Sequence, residues 1–145
     1  MEKYIESVNI RWADIDANFH VRHSVYYDWG ASVRMHFLER LGLTTALMQE
    51  NNFGPILFRE ECKFRREIRF GDPVTIQVGL LSATKSFSRW TIRHHIMKNP
   101  DTLAAIITID GAWMDTIKRK LCAPPTLAVD VFSKMPLDEE FTWLD

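Results

Sequence analysis

Residues 24–42 read SVYYDWGASVRMHFLERLG. Val25, Trp29, Val33, Phe37 and Leu41 recur at four-residue steps, while Ser32, Arg34 and Glu39 fall off that row. Apolar residues so spaced line one face of a helix, here about five turns at 3.6 residues per turn. Ser24 suits the N-cap, Asp28 the positive end of the helix dipole, and Gly42 the stop. Gly30 lowers helix propensity, which points to close packing against another surface.

The flanking segments change period. Before the helix, Val8, Ile10 and Trp12 share one row and Ser7, Asn9 and Arg11 the other, the pattern of a half-buried strand. After a loop around residues 51–55, Ile56, Phe58, Cys62, Phe64, Ile68 and Phe70 alternate with Arg59, Glu61, Lys63, Arg65, Glu67 and Arg69, predicting a long strand with one wet face. Gly71-Asp72-Pro73 makes a turn, and Val74, Ile76, Val78 and Leu80 start the next strand. Trp90, Ile92 and Ile96 mark a third, and Asn99-Pro100-Asp101 a hairpin turn. Residues 103–114 are apolar on both rows, as in a central strand. A short helix is expected near residues 128–134. The order is strand, long helix, then four strands: an α+β single domain over residues 1–145, one helix on an antiparallel five-stranded sheet. Open edges and a sheet face to cover predict oligomerisation.

Composition narrows the function. The chain has 145 residues, 46% hydrophobic, with 18 basic against 19 acidic side chains. Such a chain buries about 68–70% of its unfolded surface and needs no staples. A net charge of −1 lacks the basic surplus of a nucleic-acid binder. No apolar run approaches the roughly 20 residues that span a bilayer. The acidic N-terminus does not read as a signal peptide, so a cytoplasmic location is expected. Cys62 and Cys122 match no metal or redox spacing and read as buried free thiols.

Asp14-x-Asp16 stands where the first strand meets the long helix. Such a pair can simply cap turns, or it can hold a carboxylate near helix N–H groups that bind an oxyanion. His20 and His23 flank the helix start, either as hydrogen-bonding residues or as catalysts. His94 and His95 are adjacent in a strand and point to opposite sides. Neither histidine pair has the spacing that puts two imidazoles on one helix face, so no metal and no cofactor is expected. Glu60 and Arg66 interrupt the apolar row of the long strand, at its rim or at a site. Lys85 lies in the turn Thr84–Phe87. There is no Gly-rich phosphate loop, nucleophile elbow or reactive-cysteine signature.

Arg11-Trp12-Ala13-Asp14-Ile15-Asp16-Ala17-Asn18-Phe19-His20-Val21, with Tyr26 and Arg34 on the helix and Phe70-Gly71-Asp72 later, resembles the 4-hydroxybenzoyl-CoA thioesterase family. The resemblance runs from Val8 to about Pro125. It implies a hotdog fold, in which an antiparallel sheet wraps a long central helix, a dimer or tetramer, and hydrolysis of acyl-CoA. Asp16 then matches the catalytic aspartate. His23 matches a histidine near the helix start in the Tol–Pal-associated branch, and His20 the His-Val of another branch, so two signatures are mixed. The N–H near His23 corresponds to the donor that polarises the thioester carbonyl, and Lys85 to a lysine contacting the CoA phosphates. His20, Tyr26 and Glu60 complete the expected substrate-binding set. The chain departs from the family at Phe19, where glycine is common, and at Arg22-His23, where two asparagines are usual.

The expected activity is thioester hydrolysis with Asp16 as nucleophile or base to water and His23 assisting. A non-catalytic acyl-CoA-binding or regulatory hotdog protein is the alternative, kept open by Phe19 and Arg22. A hotdog dehydratase and a purely structural oligomer are the remaining readings.

Overall fold

The computed structural model describes residues 2–145. The four-residue apolar row folds as one helix, α1 (His23–Arg40), which buries Val25, Trp29, Val33 and Phe37 and ends before Gly42 at φ 91°. Around it run β1 (Tyr4–Val8), a 3-10 turn (Trp12–Asp14), α2 (Thr45–Glu50), β2 (Phe53–Phe64), β3 (Val74–Ala83), β4 (Arg89–Lys98), β5 (Thr102–Asp115), β6 (Lys120–Leu121), α3 (Thr126–Ser133) and β7 (Leu137–Trp143). Five strands are ordered β1-β3-β4-β5-β2 with every neighbour antiparallel. This is the hotdog arrangement that the sequence predicts. Beyond it, α2, the 3-10 turn, β6 and β7 are additions, and β7 runs parallel to β3.

Register explains the core. Ile76 pairs with Ile96, Ile96 with Ala105, His94 with Ile107, and Ile92 with Ile109, so these side chains share one sheet face. All are buried. The two-sided apolar pattern of β5 fits its place between β4 and β2. At the far end, Trp90, Trp113 and Phe132 of α3 pack with ring centroids 5.1–6.1 Å apart.

Three local expectations are corrected. Arg22, not Ser24, is the N-cap of α1, with extended backbone and no capping side chain; Ser24 sits within the first turn and accepts from the Arg22 guanidinium. Trp12 leaves the inward row because the 3-10 turn follows β1, and its exposed ring meets Phe70 edge to face at 5.7 Å. The long row of residues 56–70 is broken twice. A bulge between Leu57 and Arg59 inserts Phe58, which turns outward beneath the Arg89 guanidinium at 4.7 Å. The strand then ends at Phe64, and beyond it only Ile68 is buried while Phe70 is exposed. Past the bulge, Glu60, Cys62 and Phe64 stand opposite Ile109, Ile107 and Ala105, on the helix side. The two thiols are free and half-buried.

No helix among the described residues is long and apolar enough to cross a membrane. Gly111 is the most tightly packed of the glycines, because a Cβ there would overlap the Trp90 ring and sit 2.7 Å from the Ile56 carbonyl oxygen. Gly111→Ala is expected to destabilise the protein by about 3 kcal/mol, the scale of overpacking in a rigid core, read as a lower urea midpoint.

Candidate functional site

The two acids of Asp14-x-Asp16 meet opposite fates. Asp14 is 1% exposed, and its carboxylate accepts from the Arg11 backbone N–H at 2.9 Å, from Nε at 3.1 Å and from Nη2 at 2.8 Å. Burial alone raises its pKa, but the hydrogen bonds and charge of Arg11 outweigh that and hold it below the usual carboxylate range. Its backbone carbonyl takes the Arg22 N–H at 2.8 Å, tying the end of the 3-10 turn to the start of α1. Asp14 is therefore engaged in structure.

Asp16 lies in the loop that follows. Its carboxylate Oδ1 accepts the Asn18 N–H at 2.9 Å, an Asx turn, and its N–H donates to the His20 carbonyl at 2.9 Å. The loop is pinned by a bridge between Ile15 and Val21 and by the Val21 N–H on the Ile68 carbonyl. To close it, Phe19 adopts φ 65°, a region that disfavours any residue with a Cβ, while its ring stands 79% exposed.

Asp16, His20, His23 and Tyr26 converge with Val21, Phe64, Arg65, Arg66 and Glu67 around a depression of about 360 Å³. His20 Nδ1 is 3.5 Å from Asp16 Oδ2 and 3.3 Å from the Val21 carbonyl. Tyr26 meets Phe64 edge to face at 5.0 Å, and burial pushes its phenol up to about 12, so it stays protonated as a donor. The Arg22 N–H is taken by Asp14 and that of Val25 by the Arg22 carbonyl. Helix geometry leaves the His23 and Ser24 N–H groups without intrahelical acceptors. A carboxylate beside uncapped helix N–H groups can meet a carbonyl carbon while its oxygen is polarised.

The remaining expected residues lie elsewhere. Glu60 faces α1 from β2 and approaches Arg34 Nη2 at 3.8 Å, outside the depression. Lys85 sits on the β3–β4 turn, and its backbone N–H donates to Asp145. Register puts that turn at the opposite end of the sheet from Phe64, roughly 25 Å away at 3.3 Å per strand residue. Cys62 is no nucleophile: burial, then Glu60, push its thiol up to about 12. Arg66 is exposed at the rim, its guanidinium on the Arg65 carbonyl. The place of Arg65 and Arg66 beside Asp16 was not read from the sequence; the signal was there as the basic run Lys63-Phe64-Arg65-Arg66 in a nearly neutral chain.

Arg34 and His94 form a second cluster. Arg34 Nη1 lies 3.2 Å from His94 Nε2, and His94 Nδ1 lies 3.1 Å from the Ile107 carbonyl, so the neutral ring donates through Nδ1 and accepts through Nε2. Complete burial, then the Arg34 charge, push the His94 pKa down to about 3.

Residues 10–138 match the family described as the thioesterase-like superfamily. Among solved structures, a 1,4-dihydroxy-2-naphthoyl-CoA (DHNA-CoA) thioesterase from Staphylococcus aureus superposes with a TM-score of 0.81 at 16% identity, covering 92% of this chain and 91% of that one. A gentisyl-coenzyme A thioesterase gives 0.77 at 22% identity, with 88% and 98% covered. A hypothetical protein from Staphylococcus aureus, solved in complex with CoA, gives 0.83 at 17% identity, with 94% and 88% covered. A search of curated proteins finds no match.

Two outcomes follow from the geometry. Phe19→Gly is expected to raise stability by up to about 1 kcal/mol in chemical denaturation, since relief of left-handed strain outweighs the added freedom of the unfolded chain. His94 is neutral when folded, and its folded pKa lies below the ordinary 6.5. As pH falls through about 6.5 the unfolded chain gains a proton that the native state refuses, so stability declines until about 3. His94→Gln is expected to flatten that slope in denaturation midpoints measured across the range.

Proposed function

The chain belongs to the thioesterase-like superfamily, and on that premise we propose that it hydrolyses acyl-CoA thioesters to free CoA and a carboxylic acid. The observation that carries the reading is the Asp16 carboxylate beside the uncapped N-terminus of an 18-residue helix, at the edge of an open depression. The names of the similar structures support it, as does the likeness of residues 11–21 to the 4-hydroxybenzoyl-CoA branch.

In this mechanism the thioester carbonyl lies against the His23 and Ser24 N–H groups, which stabilise the developing oxyanion. In other enzymes one such donor contributes about 2.7–4 kcal/mol. Asp16 attacks the carbonyl carbon, the carbon–sulfur bond breaks, and CoA leaves as a thiolate that takes up a proton. Water then hydrolyses the acyl anhydride. Alternatively, Asp16 takes a proton from water, which attacks directly. His20 positions Asp16, His23 assists the proton transfer, and the neutral Tyr26 phenol donates to substrate. Arg65 and Arg66 supply positive charge for the CoA phosphates from the same copy. Lys85 takes that role only from a second copy, in a homodimer or homotetramer that would also pair the open edge of β2; Glu60 acts through Arg34.

Thiol release from short, branched and aromatic acyl-CoAs tests the reading. Asp16→Asn is expected to lower kcat about a thousandfold with little change in melting temperature. Turnover that survives the substitution removes Asp16 from the chemistry. An absence of turnover across all acyl groups, with saturable CoA-ester binding, leaves the non-catalytic binding protein instead.

A further inference from the structure

The turn that closes the β5–β6 hairpin carries the longest basic run of the chain, Lys118-Arg119-Lys120, set between Ile117 and Leu121. No acidic residue follows Asp115 until Asp130. Every side chain from Ile117 to Leu121 is exposed, Ile117 at 70% and Leu121 at 51%. None of the three cations joins an ion pair among the described residues, whereas Arg11, Arg59, Arg69 and Arg93 each face a carboxylate.

The turn is held in shape by its own backbone. Asp115 Oδ1 accepts the N–H groups of Ile117 and Lys118, both at 2.9 Å, and the Asp115 carbonyl takes that of Arg119 at 2.9 Å. The Thr116 N–H donates to the Asn52 carbonyl at 3.0 Å, which pins the flank of the hairpin. A tip ordered in advance loses little conformational freedom on docking. β4 follows β5 only as far as the Arg89–Ala112 pair, so the hairpin projects past the end of that strand. Register sets Phe64 opposite Ala105 and Phe53 opposite Asp115. The hairpin therefore lies roughly 30 Å from the Phe64 end of the sheet, at 3.3 Å per residue, and so far from the Asp16 depression.

We infer that this hairpin docks the protein on an anionic lipid bilayer, with Ile117 entering the headgroup layer and Lys118, Arg119 and Lys120 meeting the lipid phosphates and carboxylates. Charge supplies the attraction. Three cations against the single carboxylate of Asp115 leave a local excess of two positive charges in a chain whose net charge is −1. The apolar neighbours select the partner. A nucleic acid gives an exposed isoleucine and leucine nothing to pack on, and residues 117–121 hold no aromatic ring on which a base could stack. For a protein partner, residues 117–121 fall far short of the roughly 20–30 residues a side that a standard interface uses. A bilayer interface takes basic and aliphatic side chains together. Docked here, the far end of the sheet stays in solvent, so anchoring and the proposed hydrolysis are separate properties.

Co-sedimentation of the full-length protein with vesicles of phosphatidylcholine, alone or mixed with an equal amount of phosphatidylserine, tests the inference. Binding to the mixed vesicles is expected to be about tenfold tighter than to the neutral ones and to weaken as salt is raised. A basic residue near an anionic surface contributes about fivefold, so Lys118→Gln combined with Lys120→Gln should weaken binding about 25-fold. That pair leaves Arg119, at φ 57°, in place, and circular dichroism checks that the fold is kept. Ile117→Ser keeps every charge and should weaken binding about fivefold. Replacing Lys63, Arg65 and Arg66 by glutamine, at the other end of the sheet, should leave vesicle binding unchanged. The inference is overturned by no binding, by equal binding to the two vesicles, or by binding that survives either hairpin substitution. It is equally overturned if binding is lost through Lys63, Arg65 and Arg66 instead, or if a single-stranded oligonucleotide binds more tightly than the mixed vesicles. The readout is sedimentation, so it holds whether or not any acyl-CoA is hydrolysed.

Discussion

Much of the structure rests on the seat of helix α1 on the sheet, with Gly30 at the contact. A Cβ at Gly30 would stand 3.4 Å from Ile107 Cδ1 of β5, 3.8 Å from His94 Cδ2 of β4 and 3.3 Å from Arg34 Nη1 one turn further on. The two sheet contacts are ordinary packing distances, and only the guanidinium, the flexible end of a side chain on the same helix, is closer. The seat of the helix sets where its two ends fall. Towards the N-terminus it brings Tyr26 against Phe64 and sets the first helix N–H groups beside Asp16. One turn beyond, it leaves room for a guanidinium between helix and sheet and so creates the Arg34–His94 pair.

Within this frame, charge is sorted by hydrogen bonding and burial together. Asp14 and Asp16 are two residues apart, yet Arg11 binds one while the other keeps a carboxylate oxygen without a close partner. The histidines divide in the same manner. His94 is held neutral by burial first and by the Arg34 charge second, with its Nδ1–H donated to the Ile107 carbonyl, and His20 leans on Asp16 from a half-exposed position. Of the two carboxylates, Asp16 is the one the fold engages least.

Periodicity made the helix, the strand order and the turns legible, since each depends on which residues must face a common core. The Asp16, His20, His23 and Tyr26 grouping was legible for a related reason: all four lie within one strand–loop–helix segment. What failed to show depends on single insertions or on distant pairing. An alternating sequence gives no sign that Phe58 is an extra residue, because the bulge is defined by its partner β5. Trp12 reads as inward until Arg11 and Asp14 close a 3-10 turn around it. Ser24 has the chemistry of a cap, but the bond of Asp14 to the Arg22 N–H starts the helix two residues earlier. The role of Arg34 needs His94, sixty residues away, before it has meaning.

The two margins of the sheet are built differently. On the β3 side, β1 and β7 lie end to end along one strand, the first antiparallel and the second parallel, so backbone polarity reverses partway. A segment added outside the two would have to run antiparallel to one and parallel to the other, as β3 itself does. On the other side, β2 offers twelve residues of one polarity. Two copies joined through β2 would pair the longer margin of each, bulged at Phe58, and leave the β1–β7 margin outward. The terminal strands divide that margin into two short pieces of opposite polarity, the kind of edge that resists further pairing better than one long strand does.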